Sequence, residues 1–326
     1  MDEMKKKRIA VVGIGGVGGY LAAMLGTTYS EQLTLVARGE RMQRLREQGL
    51  RMDSECDGEK HIRPQNVVEA EHLQEQDVIF LCVKNYSLEQ TCEQISHAVG
   101  EHTIVIPVMN GVDSAERVCG VLKKGIVADA VIYIVAFIGE DGNICQQGDF
   151  AQIFFGMNGA KEEQKVRLQE VLQILKQADI DATLAEDIEM EVWRKYILNC
   201  AYNVETAAYN HTIGQLRSDE GKAREFEALI TEAYGIAKKK GVAVTDAMIE
   251  DFIYRFYHVY RDDATSSLQR DINAGKQAEI ETFSGYVVRE SEKYELDAPV
   301  SKKMYDLLEA RTKNSFACTK NDLVVR

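Results

Sequence analysis

The first half of the chain alternates short apolar runs with stretches of helical periodicity. RIAVV (8–12), QLTLVA (32–37), DVIFLCV (77–83) and HTIVIPV (102–108) read as strands, and their alternation with helical segments predicts a parallel sheet covered by helices. Between about 126 and 155 the pattern becomes VADAVIYIVAFIG, DGNICQQGD and FAQIFFG, which predicts strands joined by a DG-containing turn. A helix over 161–178 and a strand at DATLA close this half. Beyond residue 187 no strand is predicted. Helical periodicity covers 187–210, 219–240 ending at Gly241, 246–260, 266–293, and 300–312 after Pro299. Ser218, Thr245 and either Thr265 or Ser266 are the candidate N-caps. The pattern gives an α/β domain over 1–186 and an all-α domain over 187–326, with 313–326 (KNSFACTKNDLVVR) set aside as a candidate tail.

Length supports the division, because 326 residues exceed one compact core of ordinary size. The composition, 45% hydrophobic and 28% charged, is that of a globular protein. A net charge of -13 counts against nucleic acid and anionic membranes as partners, so an anionic ligand needs a local cluster of Lys or Arg. The seven cysteines show neither CxxC nor Cys/His metal spacing, and reduced thiols in the cytoplasm are the simpler reading. No metal site is expected. KKKRIAVVGIGGVGGYLAAMLG has the charged start and apolar continuation of a secretory signal, but its six glycines and the lack of an A-x-A site count against that. No apolar run approaches the roughly 18 residues of a membrane span.

The same N-terminal stretch carries the first candidate chemistry. In GIGGVG, Gly13, Gly15 and Gly18 stand in G-x-G-x-x-G spacing between a predicted strand and a predicted helix, with Ile14, Gly16 and Val17 completing the loop. Such a loop lets backbone approach a pyrophosphate seated on the helix N-terminus, the mark of a Rossmann-type dinucleotide domain. The next strand, QLTLVARGE, delivers Arg38, with Arg41 close behind, where an NAD enzyme places a carboxylate on the ribose. A guanidinium facing a 2′-phosphate contributes about 1.5–3 kcal/mol, a roughly ten- to hundredfold preference for NADP. Glu40 competes for that position if the register moves by one. Lys84 and Asn110 end the next two predicted strands, where open α/β sheets bind ligands. Asn110-Gly111 is also an ordinary turn pair.

In the helical half, WRKYILNCAYN (193–203) sets Lys195, Asn199 and Asn203 four residues apart. Over two turns they occupy a sector of roughly 80° and about 12 Å of axis. Trp193, Ile197, Cys200, Ala201, Val204 and Ala208 form the opposite, core-facing stripe. The polar line reads either as a solvated face or as a site; asparagine, a poor helix former, favours a hydrogen-bonding role.

Taken in order, GIGGVG, VKNY with Lys84, MNGV with Asn110, WRKYILNCAYN and SSLQRDINAGKQAEIE (266–281) resemble the ketopantoate reductase (2-dehydropantoate 2-reductase) family over nearly the whole chain. The resemblance implies a Rossmann-type domain followed by a helical domain like that of 6-phosphogluconate dehydrogenase. It also implies NADPH-dependent reduction of a 2-oxo acid, ketopantoate to pantoate, in a cytoplasmic enzyme of pantothenate biosynthesis, with a homodimer as candidate assembly. On this resemblance Lys195 is the proton donor, Asn199, Asn203 and Ser267 bind substrate together with Asn110, and Glu279 lies by the cofactor and supports catalysis. The chemistry of the residues agrees: hydride transfer to a 2-oxo carbon builds charge on oxygen that an ammonium stabilises and then protonates. Read without the resemblance, Ser267 is equally a helix-start residue and Glu279 a solvated helix position. The chain departs from the pattern at Ile213, before Gly214, where the best-known members have a substrate-binding asparagine, and at MNGV, which replaces QNG.

Overall fold

The computed structural model describes the backbone of residues 7–322 and the side chains of residues 7–313. The chain divides into two compact units between Val192 and Trp193. The sequence places a boundary at 186/187, at the start of the helix Ile188–Tyr209, whose first turns pack with the first unit: Ile188 and Val192 join an apolar cluster with Val131.

The first unit is a Rossmann-type α/β domain built on a six-stranded parallel sheet. Across the sheet the strands are Asn66–Val68, Leu33–Val36, Ile9–Val12, Gln76–Leu81, Val99–Pro107 and Ile126–Val127. The chain therefore starts mid-sheet, builds outward and returns on the other side, opening a crevice at the carboxyl ends of Ile9–Val12 and Gln76–Leu81. Strand alternation explains why IAVV is apolar throughout. Ile9 and Val11 enter one core cluster with Phe80 and Ile106, whereas Ala10 and Val12 enter another with Ile79, Leu81 and Val105. Both faces are covered, as parallel sheets require.

A second sheet has the order Asp181–Leu184, Ile144–Gly156, Leu50–Ser54 and Lys60–Ile62, with Asp129–Ile138 antiparallel to Ile144–Gly156; of its strands, Leu50–Ser54 and Lys60–Ile62 are not predicted from the sequence. The expected hairpin is here: Gly139 N donates to Asn143 O at 2.9 Å and Gly142 adopts φ +73°. The helix Gly16–Thr28 is bordered by strands of both sheets, and Gly18–Gly26 are buried without a break. A helix with no polar face is stable only when enclosed, which accounts for the signal-like composition of this stretch.

Among the described residues the second unit contains no strand. Its helices are Glu220–Lys239, Asp246–His258, Ser267–Asn273, Tyr286–Tyr294 and Pro299–Asp322, with the remainder of Ile188–Tyr209 and a short turn, Ile213–Arg217, that the sequence reading lacks. Thr245 and Ser266 cap their helices as expected. The cap expected at Ser218 is Asp219 instead, whose Oδ1 accepts from Gly221 N at 2.9 Å and Lys222 N at 3.2 Å. The expected helix 266–293 breaks after Asn273, where Gly275 takes φ +64°, and resumes through a wide π turn at Glu281–Gly285. The candidate tail is helical to Asp322; residues 323–326 lie outside the described residues.

Candidate active site

In the first unit the glycine loop takes the form its spacing implies. Gly13 adopts φ +90°, and a Cβ on Gly18 would stand 2.0 Å from Gly13 O, so both positions are closed to larger residues. A Cβ on Gly15 would meet nothing within 4 Å: the loop opens outward there. A cleft of about 460 Å³ lies over it, lined by Gly13, Ile14, Gly15, Arg38, Arg41 and Lys84 among others. Gly16, Val17 and Gly18 are not part of that lining; they open the Gly16–Thr28 helix. Arg38 is exposed at the mouth as N-cap of the helix Gly39–Gln48. Arg41, the second cation of the expected cluster, is turned to the backbone. Its Nε donates to Ile14 O at 3.1 Å and its Nη1 to Gly142 O at 2.7 Å, tying the glycine loop to the hairpin. Glu40, the competing carboxylate, is not among the lining residues.

Lys84 follows the strand end at Leu81 by three residues and caps the single turn Asn85–Ser87; Asn110 follows the strand end at Pro107. Asn110 does not line the cleft. Asn85 Nδ2 donates to Asn110 O at 2.7 Å, so the two loops are joined through a side chain the sequence did not single out.

In the second unit the expected core stripe is buried in full: Trp193, Ile197, Cys200, Ala201, Val204 and Ala208 are all below 9% exposure. The polar line is not a solvated face. Lys195 and Asn199 are half-buried and Asn203 is 7% exposed. Asn203 Oδ1 accepts from Ser267 Oγ at 3.1 Å and from Leu268 N at 3.4 Å. With its oxygen so engaged, the amide is oriented to donate through nitrogen. One turn on, Thr206 Oγ1 donates to Ser266 Oγ at 2.8 Å. Tyr202 shares the polar face and packs edge-on against Tyr260 at 5.5 Å, an aromatic neighbour not read from sequence.

Glu279 is 6% exposed, not the solvated helix position that sequence alone allows. Burial draws the Lys195 ammonium down to about 8, while the Glu279 carboxylate pulls in the opposite direction. Tyr196, the residue after Lys195, fixes the helix to the π turn that follows Glu279. Its hydroxyl lies 3.0 Å from Thr282 O and 3.1 Å from Phe283 O, and its ring contacts Trp193, Phe283 and Tyr286. Ile213, at the family's asparagine position, is fully buried and donates its N–H to Ala264 O at 3.1 Å.

Among the described residues no group of three or more His, Cys, Asp or Glu is placed to hold a metal, and no helix is long and apolar enough to cross a membrane.

A Rossmann-type domain with an open glycine loop, followed by a helical unit carrying a lysine and two asparagines in line, defines an oxidoreductase. The family models of ketopantoate reductase PanE/ApbA and of its C-terminal domain match residues 9–159 and 187–312. The chain belongs to the ketopantoate reductase family. It is 26% identical to the uncharacterized oxidoreductase YkpB of Bacillus subtilis, over 91% of this chain and 96% of that protein. It is 27% identical to a 2-dehydropantoate 2-reductase of Mesorhizobium japonicum, over 72% and 77%. Among solved structures, a PanE/ApbA family ketopantoate reductase from Ralstonia eutropha superposes with TM-score 0.84 at 22% identity, covering 94% of this chain and 99% of that one. D-mandelate dehydrogenase, solved with NADH and anilino(oxo)acetate, superposes with TM-score 0.83 at 17% identity over the same shares. These two likenesses establish the fold.

Proposed function

We propose that the protein is an NADPH-dependent reductase of a 2-oxo acid, ketopantoate to pantoate. The observation that carries this reading is the polar line of the 188–209 helix, withdrawn from solvent and held by Ser267, in a chain of the ketopantoate reductase family. The first unit suits a dinucleotide. The outward-facing Gly15 leaves room for a pyrophosphate, and Arg38 stands at the mouth where a 2′-phosphate needs a cation.

Bound NADPH supplies the hydride. Lys195 then has two tasks: its ammonium stabilises the charge developing on the carbonyl oxygen, and it delivers the proton. With its pKa brought to about 8, it remains mostly protonated at neutral pH yet releases its proton more readily than an exposed lysine. Glu279 opposes the effect of burial and keeps the charged form available. Asn203, oriented by Ser267, and Asn199 donate to the remaining oxygens of the substrate without adding charge.

A second reading keeps the chemistry and changes the 2-oxo acid. It is favoured by the buried Ile213, which supplies no hydrogen bond from its side chain at the family's asparagine position. NADPH consumption measured with ketopantoate and a panel of other 2-oxo acids separates the two. A kcat/KM for another acid well above that for ketopantoate selects the second reading, and no turnover with any of them removes both.

A further inference from the structure

Asn85 is 3% exposed although it sits in the loop that carries Lys84, and both of its carbonyl oxygens meet one guanidinium. Its Oδ1 accepts from Arg117 Nη1 at 2.9 Å, and its main-chain carbonyl accepts from Arg117 Nη2 at 2.7 Å. Its Nδ2 donates to Asn110 O at 2.7 Å. The remaining edge of Arg117 meets both carboxylate oxygens of Glu89, at 2.7 and 3.0 Å, and Asp113 lies 3.7 Å from Nη1. Arg117, on the helix Ser114–Val121, thus holds Asn85, and Asn85 in turn joins the loop after Gln76–Leu81 to the loop after Val99–Pro107; only a guanidinium can bond an amide and a carboxylate along two edges at once.

These loops lie on one side of the glycine loop and Arg38 on the other. A dinucleotide with its pyrophosphate at the glycine loop extends its adenosine toward Arg38 and its nicotinamide half toward Lys84 and Asn110. We propose that Arg117, acting through Asn85, is a positioning residue that sets the spacing between Lys84 and Asn110 for the nicotinamide half of the cofactor. The proposal rests on the function given above and on the place of Lys84 and Asn110 just beyond two strand ends, where open α/β sheets bind ligands.

The test uses two variants that leave the apolar core untouched. Arg117→Lys keeps the charge and loses the fork; Asn85→Asp keeps an acceptor for Arg117 and loses the donor to Asn110. The full chain is titrated with NADPH and, separately, with adenosine 2′,5′-bisphosphate, which carries only the adenosine half. Both variants are expected to bind NADPH roughly tenfold more weakly, the equilibrium equivalent of a buried hydrogen bond left unmade, and to bind the half-ligand within about twofold of wild type. Unchanged NADPH affinity, or equal weakening of both ligands as from general loss of structure, overturns the positioning role alone. A wild-type chain that binds neither ligand overturns the cofactor reading and this proposal with it.

Discussion

Ser267 Oγ donates to Asn203 Oδ1 at 3.1 Å, so a residue at the start of one helix decides which end of an amide on another faces outward. Among the described residues, removing that hydroxyl leaves Asn203 Oδ1 with the longer bond from Leu268 N alone. Ser267→Ala is expected to raise KM for the 2-oxo acid about tenfold with NADPH affinity unchanged. Steady-state kinetics at saturating NADPH measure this, and an unaltered KM sinks the orienting role.

Lys195→Ala is expected to lower kcat by about 10²–10⁴-fold while NADPH still binds. The pH profile carries the sign. On the proposed role of Lys195 as proton donor, the ammonium is the active form, so kcat/KM is expected to be level below about pH 8 and to fall above it as Lys195 deprotonates. Glu279→Gln removes the carboxylate that raises the lysine's pKa, and the falling limb moves to lower pH. A limb that stays in place in this variant separates Glu279 from Lys195.

Arg38 is the exposed cation at the cleft mouth, whereas Arg41 is committed to Ile14 O and Gly142 O. Arg38→Ala is therefore expected to weaken NADPH roughly ten- to hundredfold and to leave NADH affinity unchanged. Equal losses for both cofactors would show that Arg38 does not read the 2′-phosphate.

Glu205, two residues after Asn203, is fully buried and neither carboxylate oxygen has a hydrogen-bond partner among the described residues. Burial first, then the Glu225 carboxylate, pushes its pKa up to about 9. Below the ordinary carboxylate range both folded and unfolded chains hold the proton, and Glu205 imposes no cost of this kind. From there to about pH 9 the unfolded chain releases a proton that the folded one retains, so stability declines with rising pH. Glu205→Gln abolishes this slope and is expected to stabilise the protein by about 1–3 kcal/mol at pH 8. Urea unfolding from pH 5 to 9 measures it; parallel profiles for the two proteins would rule the buried carboxyl out as the source.

The parts of the fold legible in the sequence were those where local pattern and burial agree. The apolar strands of the parallel sheet and the stripe from Trp193 to Ala208 follow from period alone. Of the second sheet, the hairpin over 126–155 and the strand at DATLA were legible, but Leu50–Ser54 and Lys60–Ile62 were not, because both are short and mixed and the first joins the sheet through Ile144–Gly156, far along the chain. The helix expected over 266–293 breaks after Asn273, where Gly275 takes φ +64°, a backbone conformation that a periodic pattern does not encode. In the site, regular spacing gave Lys195, Asn199 and Asn203. Asn85 and Arg117 gave no such signal: 32 residues separate them, and only the fold makes them neighbours.

Ser266 and Ser267 are adjacent in sequence and both meet the 188–209 helix, Ser266 Oγ at Thr206 Oγ1 and the Asn203 carbonyl, Ser267 Oγ at the Asn203 side chain. The pair works like two teeth of a key. A shift of one position along their own helix would take both hydroxyls from these partners. The start of the Ser267–Asn273 helix is thus pinned to the 188–209 helix at two points, which holds the two helices in register as well as in contact.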